Sequence, residues 1–181
     1  ELEQGGMDIA VPGRPDATRQ LVIRTPLAAT SMRGTRFNVQ VTEQGSSSAV
    51  DQGRVALQGS TDRASTVLPP GFGAAVDASG QASPPVPRLP AIATDRLPST
   101  VTDAQWLALA LPAVAQASAY QVQVSRDSAA EQVLRNGRFA TPQVRFASLP
   151  DGDYWLHVQA QDALGISGHR AHAPLRVKAH P

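Results

Sequence analysis

Residues 21–41 read Leu-Val-Ile-Arg-Thr-Pro-Leu-Ala-Ala-Thr-Ser-Met-Arg-Gly-Thr-Arg-Phe-Asn-Val-Gln-Val, and this stretch gives the clearest indication of the structure of the first half of the chain. Its end, residues 37–41, alternates apolar and polar side chains, which is typical of a β-strand with one buried face. Gly34 stands between two extended segments, and glycine is a residue that a tight reversal of the chain favours. We therefore predict two strands that meet at a turn at Gly34.

The rest of residues 1–80 shows the same pattern of short strands separated by glycine-containing and polar breakers. Residues 3–7 weakly resemble residues 51–55, and we interpret each as an acid-Gln-Gly turn that leads into an alternating strand. Repeats of this kind are typical of stacked rungs. We predict an all-β domain over residues 1–80, incomplete at its N-terminus and built either as a β-solenoid or as a twisted β-sandwich.

Residues 81–98 are rich in proline. Proline fixes φ and removes a backbone donor, so this stretch is not expected to form a central strand. We predict an extended, semi-rigid linker between two domains. A second interpretation stays open, in which Val86, Leu89 and Ile92 pack against one of the domains.

Residues 99–181 contain five further alternating segments, at residues 107–111, 120–124, 143–146, 154–160 and 175–177. Turn signals separate them, among them Asn136-Gly137 and the run at residues 150–152. Strands spaced in this way predict a β-sandwich. Trp106 lies on the opposite alternation from Leu107 and Leu109, so we do not expect it to be the core tryptophan of the sandwich.

The composition narrows the class of protein. The chain has 181 residues, 41% of them hydrophobic but only 4% aromatic, so aliphatic side chains must build the cores. The net charge of +1 provides no field that would attract nucleic acid. No apolar run approaches the ~20 residues that span a bilayer, and no signal peptide is visible. We interpret the chain as a fragment of a longer precursor.

No motif for chemistry or for a cofactor emerges. The chain has no Cys, and no Gly-x-Ser-x-Gly motif is present. His169, His172 and His180 are close in sequence, but two His three positions apart point to opposite faces of a strand. We expect exposed histidines, no metal, no cofactor and no enzymatic activity.

One row of side chains is the candidate binding surface. On the predicted strand at 154–160, Trp155, His157 and Gln159 point outward, and on the strand at 120–124 Gln121 and Gln123 do. We expect these two strands to be neighbours, which would place an aromatic ring among amide groups. Such a surface suits a glycan or a protein partner.

Two resemblances extend this interpretation. The residues Thr25-Pro26-x-Ala28 and Arg33-Gly34-Thr35-x-Phe37-x-Val39 resemble the periplasmic domain of the FecR family of bacterial signal regulators. The segments at 119–124, 149–154 and 158–167 resemble a fibronectin type III domain, which implies that Tyr154 is a corner tyrosine with a buried ring.

The FecR resemblance implies a β domain in the periplasm or cell envelope of a Gram-negative bacterium. We therefore expect a non-enzymatic binding or scaffold module of a larger cell-wall protein, with peptidoglycan or another envelope protein as the partner. The alternative is the periplasmic sensor part of a FecR-type transmembrane regulator, an anti-sigma factor for iron uptake.

Overall fold

The computed structural model describes residues 5–10, 21–25, 28–42 and 45–178. The chain divides into two compact units, Glu1–Arg88 with Leu164–Ser167, and Leu89–Ala163 with Gly168–Pro181. Apart from one 3₁₀ turn at Thr94–Arg96, every regular element of the described residues is a β-strand, so the predicted all-β class is confirmed. Within the same residues, no helix has the length and apolarity to cross a bilayer.

The first unit contains one antiparallel sheet. Its strands are β1 (Gly5–Ala10), β2 (Leu21–Arg24), β3 (Ala28–Thr42), β4 (Gly45–Gly59), β5 (Thr66–Leu68), β6 (Phe72–Asp77) and β7 (Val86–Pro87). The order is β1-β3-β4-β6-β7, while β2 also pairs with β3 and β5 also pairs with β4. Because every pairing is antiparallel, the unit is not a solenoid of stacked rungs.

The two 15-residue strands β3 and β4 fold this sheet over on itself. The far half of β3 pairs with β1 and its near half with β2, and β4 is flanked in the same way by β6 and β5. Side chains from both halves share one buried cluster, which includes Phe37, Val50, Val55, Leu57 and Leu68. The architecture is therefore the twisted sandwich.

The prediction of a turn at Gly34 is wrong. Gly34 lies inside β3, in a stretch where the register passes from Arg33↔Arg54 to Arg36↔Gln52. Two residues of β3 thus oppose Gly53 alone, which is a β-bulge. Gly53 has φ 79°, so the left-handed position that requires a glycine is on the partner strand.

The interpretation of residues 3–7 and 51–55 as repeats that each begin with a turn also changes. Residues 51–55 are part of the continuous strand β4, so the acid-Gln-Gly sequence there is a bulge and not a turn that starts a rung. Residues 3 and 4, in the other copy, lie outside the described residues, as do Pro26 and His180.

Residues 81–98 do not stand apart as a spacer. Ala82 forms a bridge with Val76, and β7 pairs with β6 at the edge of the first sheet. Leu89 and Ile92 are buried in the core of the second unit. The stretch supplies side chains to both units, and the division between the units falls after Arg88.

The second unit is a sandwich of two sheets. Its strands are β8 (Thr100–Val101), β9 (Trp106–Ala110), β10 (Ala119–Ser125), β11 (Val133–Phe139), β12 (Gln143–Ala147), β13 (Gly152–Gln161) and β14 (Ala171–Val177). One sheet has the order β11-β10-β13-β14-β8, and the other pairs β9 with β12. Both sheets contribute to one core, with Leu107, Leu109 and Val144 from the smaller sheet and Val122 and Leu156 from the larger.

This strand order is that of an immunoglobulin-like sandwich. The strands β11, β10, β13 and β14 take the places of strands C′, C, F and G, and β9 and β12 those of B and E. Tyr154 is buried at the start of β13, and its hydroxyl donates a 2.8 Å hydrogen bond to Pro150 O. A tyrosine that bonds back to the chain just upstream is the tyrosine corner of this fold.

Asn136-Gly137 is not a turn either. Both residues lie inside β11, where Asn136 pairs with Gln123. A Cβ on Gly137 would come within 2.9 Å of the rings of Phe139 and Phe146, which pack edge to face. The glycine therefore makes room for an aromatic pair, since a side chain there would displace one of the rings.

Arg88 is a buried cation in the first unit. Its side chain is 1% exposed and pairs with Asp51, whose side chain is 39% exposed. Its guanidinium also donates to Ser167 O at 2.8 Å and to Val50 O at 3.2 Å. Removing the guanidinium would leave Ser167 O without this donor, which is costly in a buried site, whereas Val50 O still accepts from Gly71 N at 2.9 Å.

We predict that Arg88→Met lowers the free energy of unfolding of the first unit by about 2–4 kcal/mol, which is less than the ~3–5 kcal/mol typical of a broken buried pair because Asp51 is partly hydrated. Differential scanning calorimetry would measure this. The matched control is Arg176→Met, which breaks the exposed pair with Asp153 and should leave the melting profile nearly unchanged. Equal effects of the two variants would contradict the structural role of Arg88.

Candidate functional site

The predicted row of side chains lies on two paired strands. In the antiparallel pairing of β10 with β13, Gln121 faces Gln159 and Gln123 faces His157. Trp155 is one step further along β13, opposite Ser125. The expectation that these strands are neighbours is confirmed, and the five residues share one face of the larger sheet.

The face is not open along its whole length. His157 is only 3% exposed and Gln159 only 6%, so the expectation that both are exposed is wrong. The Gln159 amide donates a 2.7 Å hydrogen bond to Gly168 O, and Gln121 donates to Asn136 Oδ1. The amides of Gln159 and Gln121 thus bind acceptors within the protein. Of the five residues, Trp155, Gln121 and Gln123 are partly exposed.

His157 takes part in a buried polar cluster with Ser125 and the backbone of Asp127. Ser125 Oγ donates to Asp127 O at 2.6 Å, and His157 Nε2 lies 2.8 Å from the same Oγ. Because the serine proton is already directed at a carbonyl, Nε2 must carry the proton and donate to Oγ. Nε2 also lies 3.4 Å from Asp127 O, which is again an acceptor.

This proton arrangement decides what the Ser–His pair can do. A serine nucleophile needs a neighbouring imidazole nitrogen that accepts its proton. Here Nε2 is the donor, and Ser125 is fully buried. The pair is therefore a structural element of the sheet. The sequence offered no signal for it, because Ser125 and His157 are 32 positions apart.

Burial lowers the pKa of His157 below its ordinary value, because the charged imidazolium would lose its hydration. The nearby Arg170 and His172 act in the same direction, whereas Asp127 opposes them. The imidazole is therefore neutral at neutral pH, as the donor–acceptor arrangement requires.

The partly exposed end of the face is an aromatic cluster. The rings of Trp155 and His172 have centroids 5.6 Å apart, and His172 is 5.8 Å from His157. His172 comes from β14, which pairs His157 with His172 and Trp155 with Pro174. The sequence analysis missed His172 as a member of this face, although His172, Pro174 and Arg176 alternate with the buried Leu175 and Val177.

Trp106 lies on the other sheet and faces outward, as its alternation predicts. It is 38% exposed, and the guanidinium of Arg145 lies 3.8 Å from its ring centroid. This is a cation–π contact on the outer surface of the smaller sheet. Trp106 and Trp155 thus lie on different sheets of the second unit.

The described residues that carry the FecR resemblance lie in the core, a strand connection and β3 of the first unit. Thr25 Oγ1 accepts from Ala28 N at 3.0 Å, where the chain passes from β2 to β3. Phe37 and Val39 are buried in the core of the first unit. Arg33, Gly34 and Thr35 run along β3, and the side chains of Arg33 and Thr35 are outside the described part of the structure. The motif therefore contributes to the fold of the sheet.

In the part of the chain that the structure describes, His169 and His172 are not joined by further potential metal ligands. His169 and His172 are both exposed, and the residues that the structure describes contain no group of three or more potential metal ligands. A shallow cleft of about 310 Å³ in the first unit is lined by Arg24, Thr25, Ala28, Ala29, Gln58, Gly59, Ser60 and Asp62. Its carboxylate is engaged, since Asp62 accepts from Gly59 N and Ala82 N, both at 3.0 Å.

The state of His157 predicts a pH dependence of stability. Its pKa is lowered in the folded protein, so below about pH 6.5 the unfolded chain binds a proton that the folded chain does not. Stability should therefore fall as the pH drops from about 7.5 to 5. Hydrogen bonds lower the pKa of Asp77, Asp103, Asp127 and Asp153 below 3.8, so these groups act only at more acidic pH.

We expect His157→Gln to flatten the dependence of melting temperature on pH between 7.5 and 5, since a Gln amide can still donate to Ser125. The control His172→Gln changes an exposed imidazole on the same face and should keep most of the slope, because burial is the largest cause of the lowered pKa of His157. Melting curves at several pH values would measure both. A slope that survives in His157→Gln would show that the buried imidazole is not responsible.

Proteins similar to this chain were found among solved structures. No protein-family model matches this chain, and no curated protein matches it. The chain is similar to the crystal structure of FN3tt, with 15% identity over 51% of this chain and 98% of that chain and a TM-score of 0.41. It is also similar to the extracellular domain of a hybrid two-component system from B. thetaiotaomicron. That match has 8% identity and a TM-score of 0.32, and covers 94% of this chain and 31% of the other. The second unit is a fibronectin type III-like or immunoglobulin-like sandwich by its own strand order and tyrosine corner.

Proposed function

We propose that this chain is a non-enzymatic binding module of the bacterial cell envelope, part of a larger cell-wall-associated protein, and that it contacts peptidoglycan glycan through the outer face of its second unit. The contact surface consists of Trp155, His172, Gln121 and Gln123. Its location would be the periplasm or cell envelope of a Gram-negative bacterium.

One observation carries this proposal. The partly exposed Trp155 and Gln123 lie on adjacent strands, and within the described residues neither the indole N–H nor the Gln123 amide has a hydrogen-bond partner. Buried polar groups of this face are satisfied internally, so the two free groups are distinct from the rest. An aromatic ring with adjacent donors and acceptors suits a sugar ring, which offers an apolar face and hydroxyl groups.

The absence of enzymatic activity is also part of the proposal. It is supported by two polar groups of the second unit, those of His157 and Asp127, which could act in catalysis but are engaged in hydrogen bonds within the protein. The Nε2 proton of His157 is directed at Ser125, and the Asp127 carboxylate accepts from three backbone N–H groups of the turn that follows it. Groups fixed in this way are not available to take up or release a proton at a substrate.

The alternative is the periplasmic sensor part of a FecR-type transmembrane regulator. The resemblance of Thr25, Phe37 and Val39 to that family motivates it, and these positions build the core and the strand connection of the first unit. The sequence of the complete precursor separates the two proposals. A lysin motif upstream supports the cell wall, and a membrane helix with a cytoplasmic sigma-binding segment supports the sensor.

We expect Trp155→Ala to bind purified peptidoglycan sacculi about tenfold more weakly than the unaltered chain, since loss of a central aromatic contact costs on the order of 1–2 kcal/mol. Co-sedimentation with sacculi over a range of protein concentrations would measure the affinity. The control is Trp106→Ala, which removes the same ring from the other sheet and should bind as the unaltered chain does.

Circular dichroism would show that both variants are folded. Failure of the unaltered chain to co-sediment beyond an unrelated β-sandwich would overturn the glycan proposal. Equal weakening by both substitutions would overturn the assignment to the Trp155 face.

A further inference from the structure

The smaller sheet of the second unit has an open edge at β9. In its pairing with β12, Leu111 N donates to Pro142 O and Ser148 N donates to Gln105 O. Odd-numbered residues therefore direct their backbone groups at β12, and Trp106, Ala108 and Ala110 direct theirs away from it. Trp106 N is engaged by Asp103 Oδ1. The N–H and C=O groups of Ala108 and Ala110, and the C=O of Trp106, have no partner within the described residues.

The other edges of the second unit are protected. At one end of the larger sheet β14 pairs with β8, and β14 also contains Pro174, which has no backbone N–H. The edges of β11 and β12 are bridged by Arg135, which donates to Ala147 O at 3.1 Å and to Ser148 O at 2.9 Å. By contrast, β9 carries no Pro, no charged side chain and no bulge. Natural proteins usually avoid such an unprotected edge because it recruits another strand.

We propose that β9 pairs with β9 of a second copy of this chain, antiparallel and across a two-fold axis at Ala108. The sequence of β9 is complementary to itself in this register. On the outer face Trp106 lies opposite Ala110 of the second copy, so that the large ring meets a methyl group, and Ala108 lies opposite Ala108. Leu107 and Leu109 stay in the core of their own copy and are not needed at the contact.

The free backbone groups match this register. The two Ala108 residues exchange both of their N–H···O=C bonds, and each Ala110 N–H donates to the Trp106 carbonyl of the other copy. The result is four hydrogen bonds and a continuous four-stranded sheet. Because the contact is short, the dimer is weak, with a dissociation constant on the order of 0.1 mM.

Sedimentation equilibrium from about 10 µM to 1 mM tests the proposal. The unaltered chain is expected to show a monomer–dimer equilibrium, and Ala108→Pro to raise the dissociation constant at least about tenfold, since it removes two of the four donors. Proline is tolerated where the N–H faces away from the sheet, so the variant should fold. The matched control is Ala147→Pro, which removes an outward N–H from the opposite edge of the same sheet and should dimerise normally.

Cross-linking gives a second readout, because the chain has no Cys. In the proposed register the two Ala108 Cα atoms lie about 5.5 Å apart, within disulfide range. Ala108→Cys should form a disulfide-linked dimer under mild oxidation, and Ala147→Cys should not. A chain that stays monomeric at 1 mM, or dimers that persist in Ala108→Pro, would overturn the proposal. Sacculus binding by the monomeric Ala108→Pro variant reports the proposed function separately.

Discussion

The backbone ladder between β3 and β4 is the constraint on which the first unit depends. Both strands are 15 residues long, and no sheet this narrow can bury its apolar face while it stays flat. The bulge, at which two residues of β3 oppose Gly53, bends the ladder in the middle. The two halves can then face each other, and each half recruits its own flanking strands. The left-handed Gly53 and a second register shift, between Arg36 and Phe37, thus lie at the place where the sheet folds.

Most strands could be predicted from the sequence because alternation is a local property. The segments at 107–111, 120–124 and 143–146 all lie in or overlap strands of the structure. The errors arose at glycines. Gly34 and Asn136-Gly137 have the chemistry of turns, yet one lies in a bulge and the other beside two packed phenylalanine rings. A glycine in the sequence does not show whether it allows a turn, a bulge or a close ring contact, because this depends on a partner strand or ring that is distant in sequence.

The sequence predicted which side chains share the candidate face, but not which of them are exposed to solvent. Alternation correctly put Gln121 and Gln159 on one face, and their strands are adjacent. Whether such a side chain meets solvent depends on what covers it, and the partners come from elsewhere. The carbonyl of Asp127 follows β10, and that of Gly168 lies in the connection between β13 and β14. His172 joins the cluster only through the register of β13 with β14, which no local pattern encodes.

The buried part of this face supports the exposed part, which is the proposed binding surface. One hydrogen bond joins Ser125 to His157, whose ring lies beside that of His172, which in turn lies beside Trp155. A ring supported by a satisfied polar cluster on regular strands loses little conformational entropy when it binds a ligand. The same support makes the platform sensitive to pH, because a charged imidazolium would be buried without its hydration. Protonation would turn the second nitrogen into a donor in a buried site and add a positive charge near that of Arg170, and both effects favour the neutral imidazole.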